Sequence, residues 1–416
     1  MNKKLISYRV PRNLLVLVDL MAIFLLFIHN AENPDKFTLI TGVSLVFIIY
    51  ISNFILLKIS SGDHYIFLIV TMLITLGIIM IYRIDPNLGA KQVVWVSAGI
   101  VAFFITYVIV KKIKDWDKWL KFYVIASMIL FIFTLIFGQR IGGAKNWIKI
   151  GRFSFQPSEI IKLLFIFFVA SYYTNQKKYN LDKKGGYKLF LVVYGFIGFL
   201  FLQKDLGAAA VFYLIFLSIQ YVYEEDRKLI LYNVFLAFVG ALASYFIFDH
   251  VKIRIETWID PWKYIDNKGY QITQSLFAIA SGGFFGTGVG LGHPDFIPAV
   301  HTDFIFSAIC EEMGIFAGIA VMMLFLILVY RGFKIAFSQE NLFFRIVAFG
   351  ISAMFGFQAF IIFGGVIKMI PLTGITLPFI SYGGSSMIAS FIALGILQVA
   401  SEELDTEGEE ENEQRA

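Results

Sequence analysis

The sequence predicts an all-α, polytopic integral membrane protein with roughly twelve transmembrane helices. Three observations carry this reading. Of 416 residues, 58% are hydrophobic and only 16% are charged, against about 45–50% and about 25% in soluble domains. Mean hydropathy is +0.75, and apolar runs of about 18 residues or more, enough to span a bilayer, recur along the chain. Polar, glycine-rich sequence is concentrated in one stretch, Gly282 to Gly314, which must stand outside the hydrocarbon or line a cavity.

Taken in order, the runs lie near 13–30, 37–57, 65–82, 92–110, 119–138, 158–173, 188–202, 206–223, 229–248, 304–330, 344–368 and 382–400. The first two read as an additional N-terminal transmembrane hairpin, residues 1–63. Residues 64–400 form the membrane core, with a large loop at about 249–303, and residues 401–416 an acidic, disordered tail. No cleavable signal peptide is evident, because the first run lacks a small-residue cleavage site. Asp19 in that run reads as pairing with a basic residue near the interface. The single cysteine, Cys310, excludes an intrachain disulfide and a cysteine metal cluster.

Lysine and arginine assign the sides. The basic start (Lys3, Lys4, Arg9, Arg12) places the N-terminus in the cytoplasm. Alternation then brings Lys111, Lys112, Lys114, Lys118 and Lys121 to the same side. Lys177, Lys178, Lys183, Lys184 and Lys188 follow, as do Arg331, Lys334 and Arg345. Residues 139–157, the break QKDLG at 203–207 and the long loop fall outside. The first of these holds Arg140, Lys145, Lys149 and Arg152, and the last holds Lys252, Arg254, Lys263 and Lys268. Cations in outer loops need a reason. A bound anion and anionic head groups or an acidic partner serve equally well. Neither composition nor motif implies a nucleic-acid partner.

Within the runs, Pro157 opens a helix that carries Glu159 and Lys162 at i and i+3, a pairing distance on one face. Asp205 sits between two apolar runs beside Lys204. Residues 270–281 read as a short amphipathic helix on the outer surface. Gly286, Gly288, Gly290 and Gly292 match neither a P-loop nor a dinucleotide fingerprint. His293, Asp295, His301 and Asp303 do not follow a helix-borne zinc spacing, so no metal site is assigned.

Several ordered motifs resemble one family. GYQITQSLFAIASGGFFGTGVGLG, then IPAVHTDFIFSAICEEMG and PLTGITLPFISYGGSS, are similar to the SEDS proteins of shape, elongation, division and sporulation. GAKNWIKIGRFSFQPSEIIK and QKDLGAA resemble two further signatures in the expected order, so the likeness covers roughly residues 65–400. The resemblance implies a ten-helix core, to which the first two spans are an addition. It implies a peptidoglycan glycosyltransferase that polymerises lipid II on the outer face of the plasma membrane beside a class B penicillin-binding protein. The essential acid falls on Asp303, the arginine before the W-x-DP segment on Arg254, and the helical pair on Glu159 and Lys162. The same motifs assign Lys145, Trp147, Gln271, His301, Thr302, Ser381 and Tyr382 to substrate binding. Asp205 and Glu311 become supporting charges.

There are departures. Asn146–Trp147 stands where Arg-Trp is frequent, with Lys145 the candidate replacement. Lys204 replaces a proline, and Thr373 takes a position that is lysine in some members.

The chemistry requires a base for a sugar hydroxyl and cations for a departing diphosphate. Asp303 at the mouth of a helix is the best-placed base, held ionised by the helix N-terminus. On a helix starting near Asp303, Glu311 lies about 80° around from it and Glu312 on the opposite face, and both read as structural. No cofactor is required, and a divalent cation is compatible. The rival reading is a flippase for the same lipid-linked precursor, since buried charges and many spans also describe transporters. Concentration of polar residues on one side, with no inverted repeat, favours the enzyme. Topology reporters placed after residue 112 or 184 are expected to read cytoplasmic, and one near residue 265 external. A cytoplasmic signal near 265 would invert the map.

Overall fold

The computed structural model describes residues 3–29, 36–141, 143–151, 153–176 and 185–402. The acidic tail beyond residue 402, Arg152 and the lysines Lys177, Lys178, Lys183 and Lys184 lie outside the described residues. The first helices are α1 (Lys3–His29), α2 (Lys36–Ile59), α3 (His64–Ile84), α4 (Pro86–Lys112) and α5 (Leu120–Phe137). They are followed by α6 (Pro157–Thr174), α7 (Gly185–Leu202), α8 (Leu206–Tyr223) and α9 (Arg227–Ile247). The last are α10 (Asp249–Ile259), α11 (Tyr270–Gly282), α12 (Ile305–Ser338), α13 (Leu342–Val366) and α14 (Gly384–Ala400).

Among the described residues, nine helices are long and apolar enough to cross a membrane, and α7 and α14 contribute two shorter apolar segments. Together with α1 they occupy the expected runs, so the chain is a polytopic helical membrane protein. Sequence decides which helices lie inside. α3, α6 and α13 are apolar around their whole circumference and are buried on most of it. α5 and α9 face outward along nearly all their length. Interlocked phenylalanines fill the interior: Phe165 packs on Phe212 at 5.0 Å and on Phe196 at 5.4 Å between ring centroids.

Residues 139–157 are not the irregular loop that an all-helical reading implies. They form an antiparallel sheet of β1 (Gln139–Ile141), β2 (Ala144–Ile150) and β3 (Phe153–Phe155). Ile141 pairs with Ala144 and Ile150 with Phe153, so each turn has two residues, the tightest hairpin connection. The signal lay in alternating side chains between glycines at 143 and 151.

The glycine-rich loop and α12 are built as one object. α12 breaks at Gly314 (φ 84°, ψ 170°), and the loop takes over the peptide groups this frees. Thr287 N donates to the Glu311 carbonyl at 2.9 Å and Gly288 N to the Glu312 carbonyl at 3.0 Å. Ile315 N donates in return to the Gly283 carbonyl at 2.9 Å. The approach is so close that a Cβ on Gly286 would run into the Glu312 carbonyl, and one on Gly314 into the Phe284 carbonyl. Both glycines also have positive φ, which a side chain would strain.

The two glutamates complete the joint. Glu311 Oε1 accepts from His293 N at 2.9 Å, and Glu312 Oε2 from Gly290 N at 3.0 Å. Both therefore turn toward the loop and serve as structural acceptors for it. Arg83 at the end of α3 pairs with Glu312 at 3.2 Å and donates to the Gly290 and Gly292 carbonyls at 3.1 and 3.2 Å.

α1 and α2 pack on α3 and α4. Tyr8 donates to Asn53 at 2.5 Å, tying the hairpin to itself. Asp19 is 1% exposed and faces Thr75 of α3, not a basic residue near the interface. Where the hairpin joins the core, Glu402 Oε1 accepts from Ser60 and Tyr107, each at 2.6 Å, and Glu402 Oε2 from Lys111 at 2.7 Å. Beside them Arg331 holds Asp63 through two bonds of 2.8 and 2.7 Å.

Gly286→Ala or Gly314→Ala is expected to cost roughly 1–3 kcal/mol of backbone strain, before counting displaced hydrogen bonds. Thermal unfolding in detergent should show a lowered Tm for each variant. An unchanged Tm in both would mean that the loop is not inserted into the helix break.

Candidate active site

One cavity of about 1150 Å³ gathers most of the sequence-derived site residues. Asp303, Arg254, Trp147, Glu159, Lys162, Asp205, His301, Thr302 and Tyr382 all line it.

Asp303 ends a turn just before α12. Its N–H and that of Thr302 both donate to the Ala299 carbonyl, at 3.3 and 3.1 Å. The segment before α14 fastens this turn from behind. Ser381 Oγ donates to the Thr302 carbonyl at 2.6 Å, and Tyr382 N to the His301 carbonyl at 2.8 Å. Ser381 is buried with its hydroxyl committed to this contact, so it holds the turn and does not line the cavity. Gln92 of α4 donates to the Ser381 carbonyl at 3.1 Å and extends the support.

Asp303 does not cap the helix, which begins at Ile305 with Phe304 in the capping position. Burial pushes its carboxyl above the usual range, and the Thr302 hydroxyl and Arg254 oppose that shift. The helix N-terminus expected to hold Asp303 ionised is therefore not its direct partner, and burial sets the direction of its shift.

Arg254 projects from α10 and donates through Nη1 to the Thr373 carbonyl at 2.7 Å. Gly374 lies close to both it and the acid. A Cβ there would lie 3.1 Å from Arg254 Nη2 and 3.4 Å from Asp303 Oδ2. With φ +71° at Gly374, a glycine lets the guanidinium and the carboxyl both approach one bare peptide.

Asp205 ties three elements together at the wall. Its Oδ2 accepts from Asn146 of β2 at 2.6 Å and from Gln156 before α6 at 3.1 Å. Its Oδ1 caps α8 by accepting from Ala208 N at 3.1 Å. Asn146 thus serves the scaffold. Glu159 and Lys162 form a buried pair, with contacts of 3.0 and 2.9 Å, on the first turns of α6.

Besides Ser381, two residues assigned to substrate binding stay outside the cavity. Lys145 turns its ammonium onto the Leu135 and Ile136 carbonyls at the end of α5. A cation satisfying a helix C-terminus is favourable on its own account, so Lys145 does not stand in for the missing arginine. Gln271 donates to the Pro298 carbonyl at 2.7 Å and braces the outer loop. Arg140, Lys149, Lys252, Lys263 and Lys268 are exposed and also stay out of the lining. Among the described residues, His293, Asp295, His301 and Asp303 do not gather as a metal-binding group.

Three lining groups escaped the sequence reading: Lys91, His250 and Gln358. Lys204 had been noted only as a departure, and it too lines the cavity. Lys91 lies within α4, after its Asp85–Pro86 cap and one residue before the apolar run expected at 92–110. A cation so near the N-terminal end of an apolar helix was the available signal. Val94, Trp95 and Ala98 continue the lining along α4, and Val94 is 66% exposed, so the polar cavity runs out onto an apolar, outward-facing surface.

A model of the cell cycle protein family of FtsW, RodA and SpoVE matches residues 63–406. The chain belongs to this family, the SEDS proteins. Among its relatives are the peptidoglycan glycosyltransferase RodA of Mycobacterium tuberculosis, 34% identical over 79% of this chain and 76% of that one. The stage V sporulation protein E of Bacillus subtilis is 32% identical over 82% and 97% of the two chains. A solved peptidoglycan synthase complex, described as coordinating polymerization and crosslinking, contains a chain that superposes with TM-score 0.69 at 26% identity. The match covers 82% of this chain and 98% of that one. RodA of Thermus thermophilus superposes at 0.63 with 26% identity, over 82% and 97%. The SEDS match begins one residue before α3, leaving α1 and α2 ahead of it.

Neutralising either Glu159 or Lys162 should strand a buried charge, at a cost of roughly 3–5 kcal/mol. The amount of folded protein recovered from membranes should fall for each single variant and partly recover on charge exchange. Well-folded but inactive single variants would give the pair a direct part in the chemistry.

Proposed function

We propose that this chain is a peptidoglycan glycosyltransferase that polymerises lipid II into glycan strands on the outer face of the plasma membrane. The observation that carries the reading is the approach of both Asp303 and Arg254 to Gly374, in a cavity also lined by Lys91, Lys162 and Lys204. A sugar hydroxyl attacks the anomeric carbon of a second unit and yields its proton to Asp303. The new carbon–oxygen bond forms as the bond to the lipid diphosphate breaks, and the diphosphate leaves with the electron pair. One displacement inverts the anomeric centre, so no second carboxylate nucleophile is needed.

Arg254, with Lys91 and Lys204, meets the charge that develops on the diphosphate. Trp147, His301, Thr302 and Tyr382 form the wall against which the disaccharides lie. The apolar continuation along Val94, Trp95 and Ala98 suits the polyprenyl chain of a substrate whose head group sits in the cavity. This scheme uses no resident cofactor. The lysine distribution supports an outward-facing cavity with the N-terminus in the cytoplasm. A crosslinking partner, a class B penicillin-binding protein, fits the likeness to the synthase complex.

A base must be ionised, and burial sets the Asp303 carboxyl above the ordinary range. Activity should therefore rise with pH through a limb higher than that of an exposed aspartate. Asp303→Asn keeps the shape but accepts no proton. It should stay folded and membrane-inserted while polymerisation of labelled lipid II falls by about 10²–10⁴-fold. A flippase would show no polymerisation by the purified wild-type protein. Robust glycan chains from the asparagine variant would remove the base assignment.

A further inference from the structure

His250 lines the cavity and belongs to no motif that the sequence reading singled out. It is the second residue of α10, one helical turn ahead of Arg254, so the two side chains share a face. Its Nε2 is shut off from solvent and has no hydrogen-bond partner. Phe248 packs against the ring, with centroids 5.5 Å apart, and limits its movement. A buried imidazole nitrogen left unpaired is costly unless something arrives to meet it.

The charges that act on His250 are Arg254 on its own helix, Lys204 from the α7–α8 turn, and the adjacent Asp249. Burial first, and then Arg254 and Lys204, hold the ring below the ordinary histidine range, while Asp249 opposes them. In the ligand-free cavity the imidazole is therefore neutral at neutral pH. An anion drawn in by the two cations would reverse their effect at Nε2 and supply the missing acceptor.

We propose that His250 is a proton-linked contact for the diphosphate of the lipid-linked substrate, taking one proton from solvent as a diphosphate oxygen reaches Nε2 and releasing it when the diphosphate leaves. The inference rests on the reading of the cavity as a lipid-diphosphate site. It adds a group that switches from neutral to charged within the binding cycle. The N–H then donates a charge-assisted hydrogen bond, the stronger kind. The sign follows directly: a group whose proton affinity rises on binding makes affinity greatest at low pH. That gain is lost as pH rises through the value in the complex.

The test is calorimetric titration of the purified full-length protein with a short-chain prenyl-diphosphoryl-N-acetylglucosamine, in two buffers of unequal ionisation enthalpy. The probe's diphosphate is a diester and does not titrate near neutrality, so proton uptake reports the protein. The wild-type protein should take up a proton on binding, and its Kd should rise roughly fivefold between about pH 6 and about pH 8. His250→Gln should bind more weakly, with no uptake and a flat pH profile. His250→Lys, charged throughout, should bind as tightly as the wild type does at low pH, again without uptake. It also carries the test if the glutamine variant fails to fold.

Equal proton uptake in the wild type and either variant would overturn the proposal, as would failure of the wild type to bind the probe. Lipid II polymerisation measured alongside separates the two readings. Normal polymerisation with unchanged uptake removes only the role of His250. Loss of uptake in the variants, with no polymerisation by the wild type, removes the enzymatic reading and leaves the anion contact standing.

Discussion

A chain that breaks a helix at the edge of a bilayer must find new partners for the peptide groups it frees. Here the partners are peptide groups of the glycine-rich loop, exchanged across the break at Gly314. This requirement explains the composition of the loop better than flexibility does. Side chains would hold the two backbones apart, so the stretch is glycine where it meets α12. The exchange makes loop and helix one rigid piece. Arg83 then joins that piece to α3 through Glu312 and two loop carbonyls. The turn that presents Asp303 is strung between the loop and the helix and inherits their rigidity.

A second constraint is electrostatic. The cavity is lined by Lys91, Lys162, Lys204 and Arg254 against Glu159, Asp205 and Asp303. Two of these acids are engaged by the scaffold. Asp205 spends its oxygens on Asn146, Gln156 and Ala208, and Glu159 is paired with Lys162. Asp303 is the acid left facing the site, and Lys91, Lys204 and Arg254 are its cations. A basic surplus around one buried carboxyl suits a ligand that is itself strongly anionic.

The spans were legible because hydropathy over a bilayer length is a strong signal, and α11 because its pattern is amphipathic. Motifs distant in sequence were expected at one site, and Asp303, Arg254, Trp147, Glu159 and Tyr382 do meet around one cavity. What spacing could not show is direction. Lys145 sits two residues from Trp147, yet its ammonium turns to the end of α5, where free carbonyls compete for any nearby cation. Arg83 and Glu312 lie in different runs, and no local pattern announces a pair between them. The sheet at 139–155 was missed because an overwhelmingly helical composition hides three short strands. Position 250 fell at the start of the long loop expected at about 249–303, and only the formation of α10 puts it on one face with Arg254.

The contact of Glu402 with Ser60, Tyr107 and Lys111 joins residues between 291 and 342 apart in the chain. It brings the end of the last helix back to the junction of the first two helices with the core. During synthesis the segments that carry Ser60, Tyr107 and Lys111 enter the membrane well before residue 402 is made. The junction therefore stays open on the side of Lys111 and Tyr107 until residue 402 arrives. A chain cut short before residue 402 would insert its helices and yet carry an uncompensated lysine at this seam. The clasp thus closes only once the segment that follows α14 has been made and docked.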